Sequence, residues 1–245
     1  MTAQPNQSLI DGITCLQELS SSSRPLGNKE LAERLGINVV KVNRLLKSLQ
    51  SIGMVEQNKQ RKYVCGSGIH LLAAQSLHNS TILRASLRVA LSRAYSDRTL
   101  AIGTLWRTSV IYTYYALDTH SPLEGLSGYR TTDVNESTIG QALLAEKVGI
   151  NGSNEDYSGH IGEELLNRLP SITQQIQDTG YYAHFVDSHY IDNICALLRF
   201  EGMSIGLAFA NIHVHTDDMQ AYVDELQVIA NAIKDECLAL VDSEV

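Results

Sequence analysis

No stretch of this 245-residue chain approaches the roughly 18 consecutive apolar residues that a membrane-spanning helix requires. The first residues carry neither a basic cap nor an apolar core of the kind a secretory leader needs, so a cytoplasmic, membrane-free protein is expected. Cysteine is sparse. Cys15, Cys65, Cys195 and Cys237 stand far apart with no CxxC pair, which argues against a disulfide framework or a thiolate zinc site and for reduced, buried thiols. There is no internal repeat and no long low-complexity segment, and no assembled catalytic motif is visible. No cofactor is called for. The 44% apolar content is ample for packed cores.

A more local absence is the most informative. From Gly36 to Ile52 there is no carboxylate at all, while the same segment carries Lys41, Arg44 and Lys47. Overall the chain is acidic, with a net charge of −8, yet the charge is divided unevenly. Residues 1–70 hold nine Lys/Arg against five Asp/Glu, a net of +4; the rest holds ten against twenty-two, a net of −12. Such asymmetry suggests a basic nucleic-acid-contacting module joined to an acidic one with a different task.

Residues 8–20 place Leu9, Ile10, Ile13, Leu16 and Leu19 at helical spacing, predicting an amphipathic first helix. After a Ser, Pro and Gly break, Asn28 is a plausible N-cap for a helix bearing Leu31, Ala32 and Leu35. Gly36 falls where a helix end favours positive φ, and Val42, Leu45, Leu46 and Leu49 form the stripe of a third helix. Two β-prone runs, Met54 to Gln57 and Lys62 to Cys65, then flank a polar, basic turn. Three helices and a basic hairpin make a winged helix-turn-helix. In such modules the N-terminal residues of the recognition helix meet base edges, here Val39, Val40, Lys41 and Asn43, with Arg44 and Lys47 following. Asn can pair with adenine, Lys or Arg with guanine, and an apolar side chain can touch a thymine methyl. Asn28 and the hairpin cations Lys59, Arg61 and Lys62 complete the predicted DNA-contacting set.

A helical linker over 67–79 and a helix over about 80–96 are expected to carry a signal onward. The remainder alternates. Strands are expected at 99–106 and 109–117 and within "YYAHFVD", "NICALLRF" and "SIGLAFANI". Helices are expected at Ser137–Lys147, with Thr138 and Gln141 spaced as a capping box, at Leu169–Gly180, and after a Thr216 cap. This pattern predicts an α+β chain: a winged helix-turn-helix over 1–66, the linker, and a GAF-like ligand-sensing domain with an antiparallel sheet over 80–245.

The segments "ELAERLGI", "RLLKSLQSIGMVEQ" and "RKYVCG", followed by "STIGQALLA", "GYY" and "TDD", resemble the isocitrate-lyase-regulator (IclR) family of bacterial transcription factors over nearly the whole chain. Between Asn38 and Arg44 this chain reads "NVVKVNR" where many members carry a Ser-Thr pair. The resemblance implies a repressor or activator that binds operator DNA and takes a small organic acid or aromatic metabolite in its C-terminal domain. It also implies a homodimer, pairing again as a dimer of dimers. Carried over by position, it implies an effector pocket lined by Thr138, Ile139, His184, Ile194, Ala208 and Ala210. Ile194, Ala208 and Ala210 stand where binders of small carboxylates tend to be more polar, which points away from a short 2-oxo acid. Tyr112, Tyr114, Tyr129, Tyr181 and Tyr182 could line a larger, partly apolar cavity.

Two other chemistries compete. His184, His189, His213 and His215 raise a metal-responsive alternative, since His213 and His215 share a face if their segment is extended. Cys195 could in principle serve a hydrolase, but it lies inside the apolar run "ICALL", where a thiol is more often inert, and no enzyme is expected.

Overall fold

The computed structural model describes residues 4–92, 98–117, 119–126, 131–151 and 161–243. The chain divides into two compact units, Met1–Asn79 and Ser80–Val245.

The first unit packs helices α1 (Gln7–Ser21), α2 (Asn28–Leu35) and α3 (Val39–Ser51) against a hairpin of β1 (Val55–Gln57) and β2 (Tyr63–Cys65). Gly36 ends α2 in the left-handed region at φ 64°, its N–H bonded to the Ala32 carbonyl. Asn38 then caps α3, its side chain accepting from the Val40 N–H at 2.7 Å. Leu26 and Tyr63 exchange backbone hydrogen bonds at 3.0 and 2.7 Å, which staples the hairpin to the chain entering α2. Cys15, Leu16, Leu31, Val42, Leu46, Val55 and Tyr63 form the shared core. A helix α4 (Ser67–His78) follows, without a single buried residue.

Two local expectations about this unit are corrected. Asn28 does not cap α2: Gly27 holds that position without a side-chain bond, and Asn28 is the first helical residue. In α1 the inward face is Asp11, Gly12, Cys15, Leu16 and Leu19, whereas Leu9, Ile10 and Ile13 face outward. Apolar spacing located the helix but not which apolar residues it buries.

The second unit is built on an antiparallel seven-stranded sheet in the order β5-β4-β3-β8-β7-β6, with a short β9 also pairing β7. The strands are β3 (Thr99–Trp106), β4 (Ser109–Ala116), β5 (Thr131–Asp133), β6 (Tyr182–Phe185), β7 (Tyr190–Phe200), β8 (Met203–Ala210) and β9 (Val214–His215). Helices α5 (Thr81–Ser92) and α8 (Met219–Ser243) cover one face, burying Leu100, Ile194, Phe209, Ile229 and Ile233 between them. Helices α6 (Thr138–Asn151) and α7 (Glu163–Thr179) cover the other, over Ala101, Cys195 and Ala208. Successive strand residues point to opposite faces, so each core takes every second position. This is the expected α+β architecture.

The helix expected from Leu169 begins six residues earlier, at Glu163. Pro170 lies on its exposed side, where its ring meets solvent, while Leu165, Leu169 and Ile172 pack inward. The expected N-caps also shift by one residue. Ser137, not Thr138, caps α6, its Oγ accepting from the Gly140 N–H at 3.1 Å. His215, not Thr216, caps the short 3₁₀ turn that leads into α8.

Helix α6 lies close on the sheet because β8 has a glycine beneath it. A Cβ on Gly206 would stand 2.4 Å from the Ile139 methyl. Gly206→Ala is therefore expected to destabilise the second unit by about 1–3 kcal/mol, since a β-branched side chain on a packed helix cannot simply swing aside. Thermal unfolding checks this, and an unchanged midpoint would show that the helix has slack.

Candidate nucleic-acid interface and effector pocket

The nine cations of residues 1–70 sort cleanly by partner. Arg24 and Arg34 pair with Glu30, Arg34 also reaches Glu18, and Lys29 lies beside Glu33. Lys41 pairs with Asp11, a buried residue of α1. Among the described residues Arg44, Lys47, Lys59, Arg61 and Lys62 form no ion pair, and all five lie on α3 or at the hairpin tip. Four of them are exposed and Lys62 is half-buried.

The hairpin tip is shaped by Asn58, whose Oδ1 accepts from the Gln60 and Lys62 N–H groups, both at 3.0 Å. Arg61 adopts a left-handed φ of 57° there. The tip thus projects Lys59 and Arg61 on a tight frame, a form suited to reaching a phosphate backbone beside the groove that α3 would enter.

Lys41 and Asn43 are placed differently from the other predicted contacts. The stretch without acids in sequence is not without them in space, because α1 brings Asp11 to Lys41. The Lys41 ammonium, with the Gln7 amide at 2.8 Å, holds the Asp11 carboxyl below its usual range. Asn43 Oδ1 accepts from Asn28 Nδ2 at 2.9 Å, tying α3 to the start of α2. Val39 and Val40 stand exposed at 43% and 68%. Neither tether is readable from periodicity, since each joins residues at least fifteen positions apart.

In the second unit a cavity of about 210 Å³ opens where β3, β4 and β8 meet the start of α6. Its lining includes Thr138, Ile139, Ala208 and Ala210 from the expected set. Ile194 and His184 are not part of it. Ile194 is fully buried on the opposite face, under α5 and α8, because its register partner is Phe209. A one-residue offset on a strand exchanges faces, and the neighbours Asn193 and Cys195 point to the cavity's side. His184 is the register partner of Asn193 and so shares that side without reaching the cavity. Tyr129 lies outside the described residues.

The polar lining was only partly legible beforehand. Tyr112 donates to or accepts from Ser137 Oγ at 2.9 Å, and burial raises the Tyr112 phenol above its ordinary range. Thr132, Tyr115, Asn193 and Asn211 add hydroxyls and amides, and Glu136 contributes a carboxylate. Thr138 and Ile139 open α6, and the first N–H groups of a helix have no intrahelical acceptor. Behind the cavity Tyr182 donates to Gln141 Oε1 at 2.8 Å and accepts from Arg168 at 2.8 Å, while Gln141 donates to the Asn135 carbonyl. That chain anchors the segment before α6. Nothing in the sequence pattern signals Asn193 or Asn211, because the register that brings β7 beside β8 is tertiary.

His213 and His215 gather around Tyr190, with the His189 ring stacked on His215. Among the described residues no group of three or more His, Cys, Asp and Glu is arranged to hold a metal ion. His213 sits at φ 42°, so it is not part of an extended strand, and it contacts Asp192 at 3.1 Å. His215 accepts from the Asp217 N–H at 3.3 Å. Cys195 is completely buried, which pushes its thiol far up. No helix among the described residues is long and apolar enough to cross a membrane.

A three-helix unit whose Arg44, Lys47 and hairpin cations form no ion pair among the described residues, followed by an α+β unit with a small polar cavity, has the form of a helix-turn-helix module joined to a second domain. More particularly, residues 12–59 match the IclR helix-turn-helix domain, the part of the chain that carries the first segments of the resemblance. The chain is 26% identical over 231 residues to the HTH-type transcriptional regulator KdgR of Dickeya chrysanthemi, covering 87% of this chain and 74% of that protein. In fold it is similar to an IclR family transcriptional regulator from Brucella abortus, with TM-score 0.68 and 18% identity, over 96% of this chain and 95% of that one. It is likewise similar to an IclR homolog from Microbacterium hydrocarbonoxydans complexed with 4-hydroxybenzoate, with TM-score 0.65 and 15% identity, over 95% and 99% of the two chains.

Proposed function

We propose that this protein is an effector-responsive transcriptional regulator that binds operator DNA as a homodimer through residues 1–66, with 67–79 as linker and 80–245 sensing a small organic acid or aromatic metabolite. The observation that carries the DNA reading is the sorting of cations: every positive side chain of the first unit away from the recognition helix and hairpin has an acid partner, and those facing outward there, with Lys41 excepted, have none. Unpaired cations release counterions when they meet phosphates without first breaking an ion pair. Asn28 and Asn43 support the interface by locking the two helices of the motif together.

The dimer reading rests on apolar residues that the fold leaves outside. Leu9, Ile10 and Ile13 on α1 are exposed, as are Leu71, Leu72 and Leu77 on α4, a helix without a Lys, Arg, Asp or Glu. A second copy covering them would set two recognition helices on half-sites about 34–36 Å apart, or a multiple of that.

The effector reading rests on the cavity at the α6 start. Free N–H groups of Thr138 and Ile139 suit a carboxylate, as helix N-termini do. Tyr112, Ser137 and Thr132 suit a hydroxyl, and Ala101, Ala208 and Ala210 leave room for a ring. The relative crystallised with 4-hydroxybenzoate binds a ligand of that kind. The volume favours a small molecule, and Glu136 at the rim disfavours a multiply charged one.

Selection of DNA fragments by the purified protein tests the first half of the reading: a recurrent two-fold-symmetric site is expected, and the genes beside it would supply candidate effectors. For the second half, Ala208→Phe should fill the cavity, keep operator binding and lose the response to whichever small acid releases or tightens the wild type. A full response in that variant would move the effector elsewhere.

A further inference from the structure

The recognition helix divides its outward residues into a held flank on each side and a free stripe between them. At about 100° per residue, Val40, Arg44 and Lys47 fall within about 60° of one another, opposite the core residues Val42 and Leu46. Lys41 turns to one flank, where it pairs with Asp11 of α1. Asn43 turns to the other, where it accepts from Asn28 of α2. The two residues whose chemistry best suits base edges in the first turns are thus already engaged within the protein. At the N-terminal end of the free stripe stands a valine, 68% exposed.

We propose that Val40 is a specificity-determining residue that reads the 5-methyl group of a thymine in each half-site, with Arg44 beside it on the same stripe and Lys41 and Asn43 acting as braces rather than readers. This rests on the assignment of α3 as the helix that enters the major groove. A thymine methyl is the one apolar feature of the major-groove edges, and an exposed valine offers no hydrogen bond to any other group there. Breaking the Asp11–Lys41 pair to free an ammonium for guanine would leave a carboxylate buried without its counter-charge, which opposes that use of Lys41.

The test starts from sites selected out of random duplex DNA by the full-length protein. Each thymine in the half-site is then replaced by deoxyuridine, which removes only the methyl group. For the wild type one position per half-site should lose affinity, by about three- to fivefold for the contact of one methyl group. Val40→Ala should select the same site with that thymine relaxed, and should bind the thymine and deoxyuridine duplexes within twofold of each other. Lys41→Gln should select the same bases as the wild type. The proposal is overturned if no thymine-to-deoxyuridine change weakens wild-type binding, or if Lys41→Gln changes the selected bases. Failure to select any DNA would instead overturn the DNA-binding reading itself, and the deoxyuridine comparison on the wild type needs no variant to fold.

Discussion

Arg44→Ala should lower operator affinity by about two to four orders of magnitude while leaving the melting temperature within a few degrees. Arg44 is exposed, forms no ion pair among the described residues, and lies on the free stripe of α3, so its removal breaks no ion pair of the first unit. A lost guanidinium contact costs about 1–3 kcal/mol, and a two-fold-symmetric complex loses it twice. Titration at several salt concentrations separates the two roles the side chain could have. If Arg44 grips a phosphate, the slope of log affinity against log salt shrinks by about one for each half-site. If it reads a guanine, the slope holds and preference at one position relaxes. Binding of the variant within threefold of wild type would sink the assignment of α3.

Ile13→Glu should turn the protein into a folded species of lower molecular mass whose operator affinity is about 10²- to 10⁴-fold weaker. Ile13 is 47% exposed on the outward face of α1 together with Leu9 and Ile10, so a carboxylate there is hydrated in an isolated chain and buried only when a partner covers it. Without the partner the second half-site is no longer presented at the high local concentration that a linked recognition helix enjoys. Sedimentation measures the mass, and a melting curve verifies that the unit still folds. A variant that remains dimeric at wild-type affinity would place the dimer contact away from α1.

The helix-turn-helix was legible because its rules are local. Gly36 at the end of α2 and the spacing of Leu31, Val42 and Leu46 are each decided within one or two turns of chain. The same locality explains the errors. The outward face of α1 is as apolar as its inward face, and only packing against α3 decides that Asp11 and Gly12 go in while Leu9, Ile10 and Ile13 stay out. The Asp11–Lys41 and Asn28–Asn43 contacts are tertiary, so an acid-free stretch of sequence gave no warning that Lys41 has an acid beside it. In the second unit the helices that carry the cavity were found, but Ile194 was placed on the wrong side of the sheet. A strand with apolar residues on both faces, as in "NICALLRF", carries no alternation from which to choose the register.

That same strand draws a line between what this protein must keep and what it can change. Ile194, Phe209 and Leu100 hold α5 and α8, whereas Asn193, Ala208 and Ala101 sit one residue away on the cavity's face, on the side that α6 covers. Substitutions at the second set can retune the chemistry of the cavity without unfastening the first. A regulator built this way can acquire a new signal by drifting along alternate positions of its strands, while the face that holds α5 and α8 stays still.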